Sequence, residues 1–324
     1  MKISVIIPIY NVSRFIERCA ESLMKQTLDE VEYIFVDDAT PDNSMMLLRN
    51  VLKHYPNRAS QIRIVEHEQN KGLPAARNTG LAVATGEYIY HCDSDDFIEH
   101  GMLELLYNAA KEKEADFVWC DWFLSYDNNE RYMKQPSFET SLEALKAMLG
   151  GSMKYNVWNK LVKRSLYVDN GIQFPAGHSM GEDMTMICLA ACAQKVAYVD
   201  KALYHYVRSN SEAMTQTYSE RHLVDVRFNM DETIAFLATK GLDTEKEMAF
   251  FKLNVKLPFL ITYSWESYRR WNEWYPEANA YISVNNNMPW RTRFLQKMAA
   301  KRFFAGVWLY YLLVYKFLYT ILYK

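Results

Sequence analysis

The chain has 324 residues, half of them apolar, and a formal net charge of −2, enough material for one large α/β domain with an appendage. Its five cysteines (Cys19, Cys92, Cys120, Cys188, Cys192) form no CxxC pair and show no zinc spacing, which argues against a zinc module or a disulfide framework and suits reduced core thiols. No secretory signal opens the sequence, so the chain is expected on the cytoplasmic side.

Strand-length apolar runs alternate with helical periodicity from the start. Ile3–Ile9 is followed by Phe15, Ile16, Cys19 and Leu23 at helical spacing, and Val31–Val36 by Leu47, Leu48, Val51 and Leu52 before Pro56. The pattern continues with a strand at Ile62–Val65, a helix from Pro74 to Ala84 stopped by Gly86, and a strand at Tyr88–Cys92. A helix from Met102 to Lys113 and a strand at Phe117–Cys120 complete it. Such alternation predicts a mostly parallel central sheet covered by helices, with ligands at the carboxyl ends of the strands. The polar stretch 125–135 reads as a loop, and beyond Ser219 the pattern is helical and rich in aromatics. A boundary is expected near 215, giving an α/β domain at 1–215, a helical extension at 216–290 and a basic, aromatic tail at 291–324.

The residues that follow the strands carry the chemistry. Asp93, Asp95 and Asp96 put three carboxylates within four residues, a density that a hard divalent cation such as Mn²⁺ or Mg²⁺ would neutralise. Asp37 and Asp38 end the second strand, where carboxylates can accept hydrogen bonds from a base or ribose. Between them, Asn70 to Gly80 is a turn entering a small-residue helix in which Arg77 could offset phosphate charge. Glu182 and Asp183 open an apolar helix, a position that also suits acids simply because of the helix dipole. His205, near the end of a strand, is either a nitrogen ligand for a metal or a packed core histidine. Neither GxGxxG after a strand nor GxxxxGK[ST] occurs, so a nucleotide would be held by carboxylates, a metal and Arg77.

These segments together resemble the family 2 glycosyltransferases of the GT-A fold. The resemblance rests on Val5-Ile6-Ile7-Pro8-Ile9-Tyr10-Asn11, Glu32 with Val36-Asp37-Asp38, Asn70-x-Gly72 with Ala76-Arg77-Asn78-x-Gly80, Gly86-Glu87-Tyr88-Ile89 and Asp93-Ser94-Asp95-Asp96. More sparsely it continues through Trp158-Asn159-Lys160, Gly181-Glu182-Asp183 and Tyr204-x-Tyr206-x-Arg208-x-x-Ser211. It implies transfer of a sugar from a nucleotide-sugar, UDP being the expected nucleotide, to an acceptor hydroxyl with inversion at the anomeric carbon. By the same resemblance Pro8, Tyr10, Asn11, Asp37 and Asp38 hold the nucleotide, Arg77 its base or diphosphate, and Asp93 the ribose. Asp95 binds the metal, Asp96 and Trp158 lie on the sugar or acceptor side, and Asp183, beside Glu182, is the general base. Arg208 and Ser211 lie on a loop able to close over the diphosphate. A nucleotidyltransferase would show a glycine-rich loop where Pro8-Ile9-Tyr10-Asn11 stands, and an inactive nucleotide-binding scaffold would be favoured by loss of Asp95 or Asp183, both present.

The tail differs chemically from the rest. After Glu277 it has no acidic residue but seven cations: Arg291, Arg293, Lys297, Lys301, Arg302, Lys316 and Lys324. Trp308, Tyr311, Tyr315, Tyr319 and Tyr323 recur at helical steps beside Val307, Val314, Leu318 and Ile321, which suits a helix lying at a membrane surface better than one crossing it. A helix docked on the protein is the alternative, and so many apolar residues argue against nucleic acid. The chain is thus expected to be peripheral on the inner face of the cell membrane, acting on a glycan or lipid-linked acceptor.

Overall fold

A computed structural model describes residues 1–208 and 220–318. Ser211, the boundary near 215, and Tyr319, Ile321 and Tyr323 of the expected aromatic stripe lie outside the described residues.

The strands and helices alternate as the periodicity predicts: β1 (Ile3–Ile9), α1 (Ile16–Met24), β2 (Val31–Asp37), α2 (Ser44–Leu52), β3 (Ile62–Glu66), α3 (Leu73–Val83) and β4 (Tyr88–His91). Then come β5 (Phe97–Ile98), α4 (Met102–Glu112), β6 (Phe117–Ser125), β7 (Glu130–Met133), α5 (Ser141–Gly150), β8 (Lys160–Lys163), α6 (Arg164–Asp169), α7 (Glu182–Cys192), β9 (Val196–Val207) and α8 (Glu220–Thr239). They build a nine-stranded sheet in the order β3-β2-β1-β4-β8-β6-β9-β5, with β7 paired to β6. β1 to β4 are parallel, as expected, and so are β6 and β9. β8 enters antiparallel between β4 and β6, which makes the whole sheet mixed.

β1, β2 and β4 are buried along almost their full length, so each reads as a continuous apolar run rather than an alternating one. Pro8 is tolerated inside β1 for a geometric reason. Pairing of β1 with β4 stops at Ile6↔His91, and Ile6 is the last residue on that side to accept, from the Cys92 N–H at 3.1 Å. Pro8 faces the same side two residues later, where no ladder bond needs its missing N–H. At the opposite end of the strands, buried Glu32 accepts from Ser4 Oγ (2.5 Å), Thr85 N (2.6 Å) and Gly86 N (3.1 Å), tying three parallel segments together. Gly80 lets α3 lie directly on β1, because a Cβ there would come within 2.4 Å of Ile6 Cγ2.

The stretch 125–135 is not wholly a loop. β6 runs five residues beyond the predicted end, and Trp122 to Ser125 pairs with Met133 to Glu130. The hairpin closes on the Tyr126 N–H donating to Asn129 O (2.9 Å) and Ser125 Oγ donating to Glu130 Oε1 (2.6 Å). Few apolar residues mark β7, because its side chains are largely exposed.

Two compact units are present. The first holds Met1–Leu145 and Tyr155–Gly241, so α8 belongs with the sheet. The second gathers Lys146–Lys154 with the chain from Leu242 on, including α9 (Glu245–Lys256), α10 (Trp265–Glu273), α11 (Trp290–Ala300) and α12 (Phe304–Tyr310). Within it, buried Lys256 lies 4.1 Å from the Trp271 ring centroid and donates to Trp274 O, Tyr275 O and Asn279 Oδ1. No helix among the described residues is long and apolar enough to cross a membrane.

Candidate active site

The carboxyl ends of β2, β1 and β4 lie side by side, and the loops leaving them are stitched together by short polar side chains. Asp42 accepts from Ser13 N (2.8 Å), Thr40 Oγ1 (2.8 Å), Ser44 N (3.0 Å) and Ser44 Oγ (2.5 Å). Burial would raise its pKa, but these donors outweigh that and hold the carboxyl well below the usual range. Thr40 in turn receives the Asn11 N–H at 2.8 Å, with Asn11 in the left-handed region at φ 56°. Tyr10 is left 47% exposed at the rim, and Asp37 accepts from Thr40 N at 2.9 Å.

Asp38 points away from this rim. Only 2% exposed, it accepts from the N–H groups of Lys71 and Gly72 (both 2.8 Å) and lies 2.6 Å from His67 Nδ1. Both of its oxygens take part in fixing the turn that starts α3. Pro8, likewise buried within β1, shapes the edge without presenting a polar group to it.

Arg77 on α3 is the charged centre. It is 2% exposed, its Nη2 donates to Asp93 Oδ1 at 2.6 Å, and its Nε and Nη1 have no hydrogen-bond partner. Burial works against its charge, and Asp93, Glu182 and Asp183 together keep it firmly protonated. The ring of Phe174 lies 5.7 Å from the guanidinium, and Asn78, one residue along α3, clamps that same residue through two reciprocal 2.8 Å bonds. One arginine therefore brings the turn after β4 and the start of α7 to a single place.

Within that turn Asp93 and Asp95 are half-buried, whereas Asp96 is 1% exposed. Asp96 accepts from Tyr204 OH (2.5 Å) and Val207 N (2.7 Å), and burial beside Asp95 and Asp93 pushes its carboxyl well up. It staples the turn to β9. Trp158 is also internal: 5% exposed, it stacks on Tyr204 (4.4 Å) and Tyr206 (5.4 Å) and meets Trp122 edge-on. His205 sits between two acids. Its Nδ1 lies 2.7 Å from Glu130 and its Nε2 2.8 Å from Glu99, and its ring stacks on Phe97 and Phe123, so both nitrogens are committed to groups other than Asp95. Arg208 is exposed beyond β9, 5.8 Å from the Tyr206 ring.

At the start of α7 the two acids divide. Glu182 is 8% exposed, its Oε1 has no hydrogen-bond partner, and burial raises its pKa against the pull of Arg77. Asp183 is solvent-exposed and therefore reachable, while its Oδ1 accepts the Val157 N–H at 3.1 Å. The protein packed around its carboxyl, followed by the charge of Glu182, pushes it up to about 7. Lys160, buried and donating to Asn159 Oδ1 at 2.7 Å, is lowered to about 7 by burial, against the opposing influence of Asp183.

The grip on this acidic pair comes from α8, in a region where sequence reading found no signal. Asp225 accepts from Ser179 N (3.0 Å) and Ser179 Oγ (2.8 Å) and lies 3.1 Å from His178 Nδ1. Asn229, one turn later, donates to Ser179 O at 2.8 Å. Met180 adopts φ 64°, and a Cβ on Gly181 would fall 2.4 Å from the Asn229 amide. The i,i+4 pair of short polar residues on an otherwise mixed helix was the available clue. Two cavities of about 240 and 280 Å³ flank the segment 170–175, one toward α8 and one between α3 and α6. Neither is lined by Asp93, Asp95 or Asp183.

Among the described residues no three His, Cys, Asp or Glu side chains converge as a metal cage. The acidic turn does fit a Mg²⁺ or Mn²⁺ ion of the kind held by one or two carboxylates and completed by substrate phosphates, since Asp95 stands half-buried between Asp93 and Asp96.

Residues 4–181 match the model of glycosyl transferase family 2. The chain is 32% identical over 223 residues to the uncharacterized glycosyltransferase EpsJ of Bacillus subtilis (strain 168), a match covering 66% of this chain and 63% of EpsJ. It is 30% identical to the cholesterol galactosyltransferase of Borreliella burgdorferi, over 84% of this chain and 77% of that protein. Among solved structures, S. aureus TarS 1-349 in complex with UDP-GlcNAc superposes with a TM-score of 0.73 at 23% identity, over 96% of this chain and 91% of that one, a likeness of fold.

Proposed function

Because the chain belongs to glycosyl transferase family 2, we propose that it moves a sugar from a UDP-sugar to an acceptor hydroxyl by direct displacement, with inversion at the anomeric carbon. The observation that carries this reading is the convergence on Arg77 of Asp93 and the Glu182–Asp183 pair, with Asp183 the exposed member. Asp183 takes the acceptor proton as the new bond forms, and a carboxyl pushed up to about 7 is well matched to that task near neutral pH. Arg77 has the N–H groups of Nε and Nη1 to spare for the donor sugar or its diphosphate. Tyr10, Asn11 and Asp37 form the nucleotide rim with Asp93, and Arg208 borders it on the β9 side. The UDP-GlcNAc held by TarS, a protein of like fold, supports uridine as the base.

A divalent ion, Mn²⁺ or Mg²⁺, held by Asp95 with the diphosphate oxygens would offset charge on the leaving group. The acceptor is a surface polysaccharide or a lipid-linked glycan, and the enzyme works on the cytoplasmic face of the membrane with its basic tail at the lipid surface. The cholesterol galactosyltransferase relative supports an acceptor of lipid character.

Calorimetric titration of UDP into the protein, with and without Mn²⁺, tests the donor site. Wild-type binding that strengthens with metal, and loses that dependence in Asp95→Ala, is expected. Absence of UDP binding in every condition overturns the choice of uridine, and metal-independent binding identical in both proteins overturns the role of Asp95.

A further inference from the structure

The second unit presents a surface that the sugar-transfer reading leaves unused. α11 carries no acidic residue, and its two faces are sharply different. Leu295, Gln296 and Ala299 are buried, with Gln296 donating to Leu253 O on α9 at 3.2 Å. On the other side Trp290 is 67% and Phe294 50% exposed, and Arg291, Lys297 and Lys301 are exposed with them. Positions 290, 294, 297 and 301 fall within one stripe of an α-helix, so two large rings and two ammonium groups share a face. The guanidinium of Arg291 lies 5.8 Å from the Trp290 ring.

After the left-handed turn at Arg302 (φ 57°), Phe303 (58%), Leu309 (50%) and Leu313 (54%) are again exposed, so large apolar side chains recur along this stretch.

We propose that the outer face of α11 is a docking surface for an anionic lipid bilayer, with Trp290 and Phe294 entering the headgroup boundary and Arg291, Lys297 and Lys301 pairing with lipid phosphates. The proposal deepens, and rests on, the membrane-side placement given above, and it moves the primary contact from the aromatic stripe after Phe303 to α11. Charge complementarity selects the occupant. Rings interleaved with cations and devoid of acids suit an apolar boundary under a negative surface. A second copy docking through the same patch would bring like charges together.

The test is co-sedimentation of the full chain with phosphatidylcholine vesicles and with the same vesicles doped with phosphatidylglycerol. Wild type is expected to bind the anionic vesicles and to release with salt. The double variant Trp290→Ser, Phe294→Ser should weaken this at least tenfold, and Lys297→Glu about fivefold or more. Trp308→Ser with Leu309→Ser on α12 should weaken it less than the α11 pair. Equal binding to both vesicle types overturns the proposal, as does unchanged binding by the α11 variants. So does lipid-free self-association that Trp290→Ser abolishes, which would make a second copy the occupant. UDP titration of the same variants separates this outcome from the donor-site reading, because a protein that binds UDP and ignores anionic vesicles refutes only the docking surface.

Discussion

The turn after β4 and the first turn of α7 each present neighbouring carboxylates, and they are assembled in opposite ways. In the β4 turn the inner acid, Asp96, is satisfied by a tyrosine hydroxyl and a backbone N–H on β9. At α7 the inner acid, Glu182, keeps an oxygen without a partner and faces a buried arginine that also has donors unspent. A buried polar group that is satisfied rigidifies a fold, whereas one left incomplete is costly unless something binds there. Asp96 is therefore architecture, whereas chemistry is proposed for the pair at α7, a contrast that mutation can sharpen or break.

The largest effect is expected at Asp183. Asp183→Asn should lower the transfer rate by about 10²–10⁴ while leaving UDP affinity unchanged, read by steady-state kinetics beside calorimetry. Asp96→Ala should act on stability instead, costing on the order of 2–4 kcal/mol in chemical denaturation by stranding the Tyr204 hydroxyl and the Val207 N–H. If Asp96→Ala were fully stable yet inactive, the contrast between the two pairs would collapse.

Asp225 offers an intermediate case, since it touches neither acid but holds the segment leading to them. Asp225→Ala should lower kcat about 10- to 100-fold with little change in donor KM, and Asp225→Asn should recover most of it, because an amide oxygen still accepts from Ser179. The smallest effect is a shift in pH dependence. Asp183 must be deprotonated to act, so the rate should rise with pH through about 7. Glu182→Gln removes a negative neighbour that raises that value, so the acid limb of the profile should move to lower pH. Movement to higher pH would show that Glu182 does not act on Asp183 through its charge.

Much of the fold was legible because β1, β2 and β4 are buried on both faces and announce themselves as apolar runs with acids at their ends. Asp93 follows β4 and was singled out for that reason, whereas Arg77 and Asp183 lie on α3 and α7 and were singled out by the resemblance. What sequence could not convey was direction. Asp37 and Asp38 are neighbours of identical chemistry, and only the path of the chain turns one to the rim and the other under Lys71 and Gly72. For His205 the sequence left a metal ligand and a packed histidine both open, because Glu99 and Glu130, which flank it, are far away in sequence. β7 was missed since its exposed side chains erase the alternation that marks a half-buried strand, and α8 because its contribution lies in two hydrogen-bonding residues rather than a motif.

The grouping of Lys146–Lys154 with the C-terminal helices has a practical consequence for anyone dissecting the enzyme. Met148, Leu149 and Met153 are buried, and a Cβ on Gly151 would fall 2.7 Å from the side chain of Asn254, so this short excursion is at home among residues a hundred positions later. A fragment ending at Gly241 would keep the sheet and the acids but carry the apolar end of α5 and the residues after it without their partners. Isolating the sheet unit therefore calls for removal of residues 146–154 as well, because a stop codon alone would yield a protein prone to aggregate.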